Sequence, residues 1–327
     1  MKYFRRENEA LERAIDSYFE SLSRYNDEHF EGKLSVMLLG SLSRGEATWV
    51  KDGENDKMLS DIEYFTIYPE GFAAFDEYNE ICERAKNEAF GNQKSSLFHI
   101  DNTFVRKEAL PNMERKLITS DAKCMGKTVV GEDCVKLLPE ITPENINLFD
   151  IKDILTHRVF YVLYYGKEMR ENGKTEEYKY LLSKNSLDLM TVILAHYGIL
   201  ASGFIKRYEM IEELPVSEEW KKYFSYCLSV KLLESVENSY AIKEMENIFI
   251  EIVKFLYKNF NVPFKNVLLN RRHVLKRRMG MMKRAVKYRF TPRFGHLKHL
   301  IKTFENDKVL DTRTIKNNLI LNGYPVI

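Results

Sequence analysis

Apolar and polar positions along this chain follow two different periods, and the change of period divides it. Residues 6–29 carry Leu11, Ala14, Ile15, Tyr18, Phe19 and Leu22 at helical spacing with charges between them, which predicts an amphipathic helix. Residues 34–39 form a short apolar run ending at Gly40, the pattern of a buried strand. The stretch 42–59 is polar, and 51–57 reads as a loop by composition. Residues 61–68, closed by Pro69, predict a second strand. On it Asp61, Glu63, Phe65 and Ile67 share one face, and Ile62, Tyr64, Thr66 and Tyr68 the other. A helix is expected over 72–90, stopped at Gly91-Asn92, then a strand over 97–105, a short helix over 108–119 and a short strand over 128–130. This interleaving of strands and helices predicts an α+β domain built on a mixed sheet with flanking helices.

After the proline-bounded linker 139–143 the period becomes helical throughout. Segments 150–166, 176–202, 217–240, 241–260 and 265–289 each carry helical apolar spacing, punctuated by Gly166, Gly173, Pro215 and Pro263. An α-helical bundle is expected there. A length of 327 residues supports two domains. They are expected at 1–145 and 146–327, the second helical and carrying a basic C-terminal segment.

Composition narrows the class. Charged residues make up 30% and hydrophobic residues 44%, which excludes a disordered chain. Cys82, Cys124, Cys134 and Cys227 fit no zinc-binding spacing and read as reduced thiols. The first residues lack the apolar core of a signal peptide, and no apolar run approaches the about 18 residues that span a bilayer. A cytoplasmic protein with no transmembrane segment is expected. The net charge of +2 is uninformative, but its distribution is not. Between 265 and 304 there are thirteen Lys or Arg and no Asp or Glu. Such a basic amphipathic run either answers acidic neighbours such as Glu212 and Glu213 or meets an anionic partner, RNA or a membrane surface.

The chemistry concentrates between Val36 and Tyr68. A strand that ends in Gly40-Ser41 lets a phosphate approach the backbone, because glycine has no Cβ. Backbone N–H groups and a serine hydroxyl opening a helix bind anions. Asp61 and Glu63, two apart on a strand, place two carboxylates side by side, an arrangement that a divalent cation neutralises. A third acid is needed to take a proton from an attacking hydroxyl, and Asp101, sharing a face with His99 and Thr103, is the best placed, ahead of Glu108 and Glu114. His99 by itself reads as a satisfied sheet histidine, Lys184 as a solvated helix-start lysine, and Met279 to Met282 as core.

Gly40-Ser41, then Arg44-Gly45-Glu46, then Ser60-Asp61-Ile62-Glu63 resembles the signature of the polymerase-beta-type nucleotidyltransferase superfamily. The form is most similar to its minimal and aminoglycoside nucleotidyltransferases. The spacer is longer than usual, with 51–59 as an insertion, and Glu63 stands where Asp is commoner. The segment 123–133 resembles one near the end of the catalytic domain, and the resemblance implies 1–145 as the catalytic domain and 146–327 as a helical substrate-binding domain. The resemblance implies the nucleotidyltransferase fold and metal-dependent transfer of a nucleoside monophosphate from an NTP, ATP being expected, to an acceptor hydroxyl, with pyrophosphate released. It implies Asp61, Glu63 and Asp101 as metal ligands for Mg2+ or Mn2+ and as the catalytic acids. Gly40 and Ser41 would hold the β- and γ-phosphates, and Arg44 would touch the triphosphate. The acceptor stays open: a small hydroxylated molecule, a second nucleotide in an oligonucleotide second-messenger synthase, or a protein or RNA hydroxyl. A non-catalytic NTP- or nucleic-acid-binding module of the same fold is the competing class.

Overall fold

The structure is a computed structural model that describes residues 2–52, 55–91, 98–146, 148–234 and 239–259, with Ile301 and Phe304. It forms two compact units: Met1–Asn147 with Gly198–Ser239, and Leu148–Tyr197 resuming at Tyr240.

The first unit is built on a sheet. Helix α1 (Glu9–Phe30) starts where the Asn8 side chain accepts the Leu11 N–H, and ends at Glu31 in the left-handed conformation. Asn26 then accepts from the Leu34 N–H and donates to the Leu34 carbonyl, which aims the chain into β1 (Ser35–Leu38). All four residues of β1 are buried. It pairs antiparallel with β4 (Ile62–Tyr68) on one side and with β6 (Lys127–Val130) on the other, and β4 pairs in parallel with β5 (Ile100–Arg106). The sheet order is therefore β5-β4-β1-β6.

Strand alternation sends side chains to two cores. Val36, Leu38, Ile62 and Tyr64 pack with α1 and with α3 (Phe75–Phe90). Met37, Leu39, Phe65, Ile67 and Val105 pack on the opposite face with Leu110 and with Ala122 of α4 (Leu117–Met125). Within the first core, Tyr18 and Tyr64 share a hydrogen bond at 2.8 Å, and burial pushes both hydroxyls, and the Cys82 thiol beside them, up in pKa.

Several elements differ from expectation. The loop expected at 51–57 is instead part of a hairpin of β2 (Trp49–Asp52) and β3 (Asn55–Met58), in register from Trp49↔Met58 to Asp52↔Asn55. Trp49 and Met58 are buried at its open end, so polar composition marked the turn and hid the strands beside it. The helix expected over 108–119 is a 3-10 turn, Lys107–Asn112, that contains Pro111, followed by α4. The one expected over 176–202 stops at His196. Helix α7 (Phe204–Glu212) falls in no expected segment. Together with α8 (Glu218–Leu232) it belongs to the sheet unit, so that unit takes a second stretch of chain beyond 145.

The second unit holds α5 (Leu148–Glu171), α6 (Thr175–His196) and α9 (Ile242–Asn259). Helix α6 is buried on nearly every side, which makes it the central helix. A Cβ at Gly166 would overlap the Tyr178 ring, so glycine is what lets α5 approach α6 there. Glu246 of α9 is buried and accepts from the Tyr178 hydroxyl at 2.6 Å and Arg170 at 2.9 Å. The expected helix 265–289, the basic run and Met279 to Met282 lie outside the described residues, except that Ile301 is buried and Phe304 lies against Phe249. No helix among the described residues is long and apolar enough to cross a membrane.

Candidate active site

The C-terminal end of β1 and the N-terminal ends of β4 and β5 meet at one edge of the sheet. After β1 the chain turns at Gly40 into α2 (Gly40–Arg44). Gly40 has φ +65°, and a Cβ there would overlap Glu63 Oε2 and lie 3.1 Å from Glu63 Cδ. The Leu39 N–H donates to the Glu63 carbonyl at 2.8 Å. The turn is therefore pressed against the start of β4, and a glycine is required both by backbone conformation and by space. Ser41, next in the turn, is half-buried.

Across the parallel pair, Glu63 stands opposite Asp101. Alternation puts Glu63 on the face of Phe65 and Ile67, and Asp101 on that of Val105, so the two acids project to the same side. Asp61, just before β4, is buried, and His99 links it to Asp101: Nδ1 lies 2.8 Å from Asp61 Oδ1 and Nε2 lies 3.0 Å from Asp101 Oδ2. A carboxylate only accepts, so both ring nitrogens must donate and the ring is imidazolium. The hydrogen bond to Asp101 and then that to Asp61 raise the His99 pKa to about 11, against the opposing effect of burial. The histidine expected to be satisfied within the sheet is so on both ring nitrogens, and it is the cationic link between two of the three expected acids.

Among the described residues no group of three or more His, Cys, Asp or Glu is placed to hold a metal ion. The donor chemistry nevertheless fits one. Two hard carboxylates, Asp61 and Asp101, flank a cation, the His99 imidazolium, and Glu63 stands opposite Asp101. The weaker candidates for third acid have local partners: Glu108 lies 3.8 Å from Arg106 and Glu114 lies 2.8 Å from Lys116. Lys184 lies within α6 of the second unit.

Arg44 faces inward. Its side chain is only 5% exposed, and Nε donates to Glu46 at 2.7 Å, with Asp121 at 3.7 Å. Burial opposes its charge, but Glu46 and Asp121 more than compensate and its pKa is raised. Glu46 is buried as well and accepts the N–H groups of Phe204 and Ile205, both at 3.1 Å, in the first turn of α7. Arg207 of α7 returns the connection with two 2.9 Å hydrogen bonds to Asp121 of α4. This network holds α2, α4 and α7 together behind the Gly40 turn. The sequence offers Arg44 for the triphosphate and does not single out Asp121 or Arg207. Those two lie 86 residues apart in the chain, and Glu46 and Ile205 lie 159 apart, with no spacing to read.

No family model matches the chain, and no curated protein matches it. Among solved structures it is similar to the spectinomycin adenyltransferase AAD(9) from Enterococcus faecialis, determined with ATP and spectinomycin. The identity is 12%, the match covers 73% of this chain and 98% of that one, and the TM-score is 0.46. A likeness this loose carries no argument about the site.

Proposed function

We propose that the chain is a nucleotidyltransferase that moves a nucleoside monophosphate from an NTP, ATP first among them, to an acceptor hydroxyl. The observation that carries the reading is the meeting, at one sheet edge, of Glu63 opposite Asp101, Asp61 tied to Asp101 through His99, and the Gly40 turn against Glu63. Asp61 and Glu63, with Asp101 beside them, would hold Mg2+ or Mn2+. The ion, when bound, offsets negative charge on the triphosphate and on the entering and leaving oxygens. The glycine at Gly40 leaves room for the Glu63 carboxylate against the turn, and the Ser41 hydroxyl and the backbone N–H groups of the turn would hold the phosphate oxygens. Asp101 is half-exposed and takes the acceptor proton. The acceptor oxygen then bonds the α-phosphorus, the bond from that phosphorus to the β-bridging oxygen breaks, and pyrophosphate leaves. Arg44 acts by holding α2 rather than by touching phosphate.

The acceptor class follows from incubation with labelled ATP and Mg2+ alone. Product without an added acceptor identifies a nucleotide-joining synthase, whereas product only with an aminoglycoside or sugar identifies a small-molecule transferase. The four cysteines are free, in keeping with a cytoplasmic enzyme. The basic run 265–304 supports an anionic partner, RNA or a membrane surface, and a steep salt dependence in a mobility-shift assay with RNA is the signature of the first. The deciding variant is Asp61→Ala. Its transfer rate is expected to fall at least about 100-fold, the upper end of what losing a group that only orients a metal ligand costs, with the fold retained by circular dichroism. Wild-type turnover in that variant overturns the reading in favour of a binding module.

A further inference from the structure

Lys231, near the end of α8, is fully buried. Its Nζ donates to Thr48 Oγ1 at 2.8 Å and to Ser60 Oγ at 2.9 Å. The Thr48 hydroxyl donates back to the Lys231 carbonyl at 2.6 Å, and the Thr48 N–H donates to Ser60 Oγ at 2.8 Å. The N–H groups of Leu59 and Ser60 both donate to the Thr48 carbonyl, at 3.0 and 3.1 Å. The Phe204 ring centre lies 6.0 Å from the ammonium. Three residues far apart in sequence thus close a small polar knot inside the first unit.

Stability alone gives no reason for a lysine there. Taking an ammonium out of water is costly, and an apolar side chain of similar volume fills such a space at least as well. What the ammonium adds is a fixed grip on Ser60, the residue immediately before Asp61. With the Ser60 hydroxyl held by two donors and its N–H held by Thr48, the chain has one way to enter β4. The direction of that entry decides where the Asp61 carboxylate points.

We propose that Lys231 is a positioning residue for Asp61. Through Ser60 it keeps the Asp61 carboxylate against His99 and on the side of Glu63 and Asp101. The inference rests on the reading of Asp61 as a site acid, and it adds a residue 170 positions away to that site. It is tested in the full chain with Lys231→Met, which keeps the volume and removes the charge, and with Ser60→Ala.

Two readouts separate the inference from the reading beneath it. The first uses no nucleotide: the 15N shift of His99 Nδ1 reports its contact with Asp61. It is expected to move in both variants, with the melting temperature held within a few degrees. The second is kinetic. With ATP, kcat is expected to fall roughly 10- to 100-fold, the range for groups that orient metal ligands, while KM for ATP stays within about twofold. The double variant should lose no more than either single one, since both break the same contact. A rise in KM with kcat unchanged would make Lys231 a nucleotide ligand and overturn the proposal. An unmoved His99 shift with full kcat overturns it too. If Lys231→Met does not fold, Ser60→Ala carries both readouts. If the wild-type chain makes no product from any NTP, the functional reading fails and the His99 shift alone decides the positioning.

Discussion

Gly40→Ala tests the core of the site with a single methyl group. Two costs can be worked from the structure. At φ +65° an L-residue is strained, by about 1–2 kcal/mol. The added Cβ would also overlap Glu63 Oε2 and lie 3.1 Å from its Cδ. The far end of a flexible side chain can give way, so this second cost is a forced rotamer change of about 0.5–1.5 kcal/mol. The total, about 1.5–3.5 kcal/mol, corresponds to a melting shift of roughly 3–14 °C in a unit of this size. The functional loss should be far larger than the stability loss, because the carboxylate that moves is a proposed metal ligand. Urea denaturation measures the first and pyrophosphate release the second. Adding Glu63→Ala removes the overlap and keeps the backbone strain. The Gly40→Ala cost should therefore drop to about 1–2 kcal/mol in that background. Equal costs in both backgrounds, or full activity in Gly40→Ala, would refute the argument that the turn is pressed against Glu63.

Glu46→Ala leaves Arg44 buried without its nearest carboxylate and takes an acceptor from two N–H groups of α7. A loss of about 3–5 kcal/mol is expected by thermal or urea unfolding, whereas Glu46→Gln, which keeps the acceptor oxygen, should lose less. For His99 the folded pKa of about 11 lies above the ordinary 6.5. Its contribution to stability is therefore full below pH 6.5, shrinks as the pH rises, and is gone above about 11. The destabilisation by His99→Gln in metal-free protein should follow that slope, muted because the ring is half exposed. An imidazole 15N titration with a midpoint near 6.5 would contradict it.

How much of this was legible in the sequence depends on the range of each interaction. Alternation in 61–68 correctly assigned Ile62 and Tyr64 to one core and Phe65 and Ile67 to the other, because a strand's period is local. The spacing in 6–29 and 72–90 located α1 and α3 for the same reason. Asp101 could be nominated from its strand, but its register against Glu63 could not, since pairing joins segments 38 residues apart. That His99 is satisfied is legible, but not by which groups, because its link needs two partners at once, one of them at the start of another strand. Helix α7 is only nine residues long, too short for its apolar spacing to stand out. It is fixed by Glu46 at its first turn and by Asp121 through Arg207, neither visible in its nine residues.

The distribution of charge in the first unit separates two tasks. Behind the Gly40 turn, Arg44, Glu46, Asp121 and Arg207 are matched cation to anion and shielded from water, so their field is largely spent within the network. At the sheet edge the balance differs: Asp61 and Asp101 share the His99 imidazolium, and Glu63 stands opposite Asp101 within electrostatic reach of Arg44. Arg44 is already matched by Glu46, so among these described residues the carboxylates outnumber the cations and leave a surplus of negative charge at the mouth of the turn. A polyanionic NTP is repelled by such a surplus unless a divalent cation arrives with it. On this argument nucleotide binding should be strongly coupled to Mg2+, and calorimetry with ATP in chelator should give no measurable affinity. Tight binding of metal-free ATP would mean that the acids do not face the nucleotide.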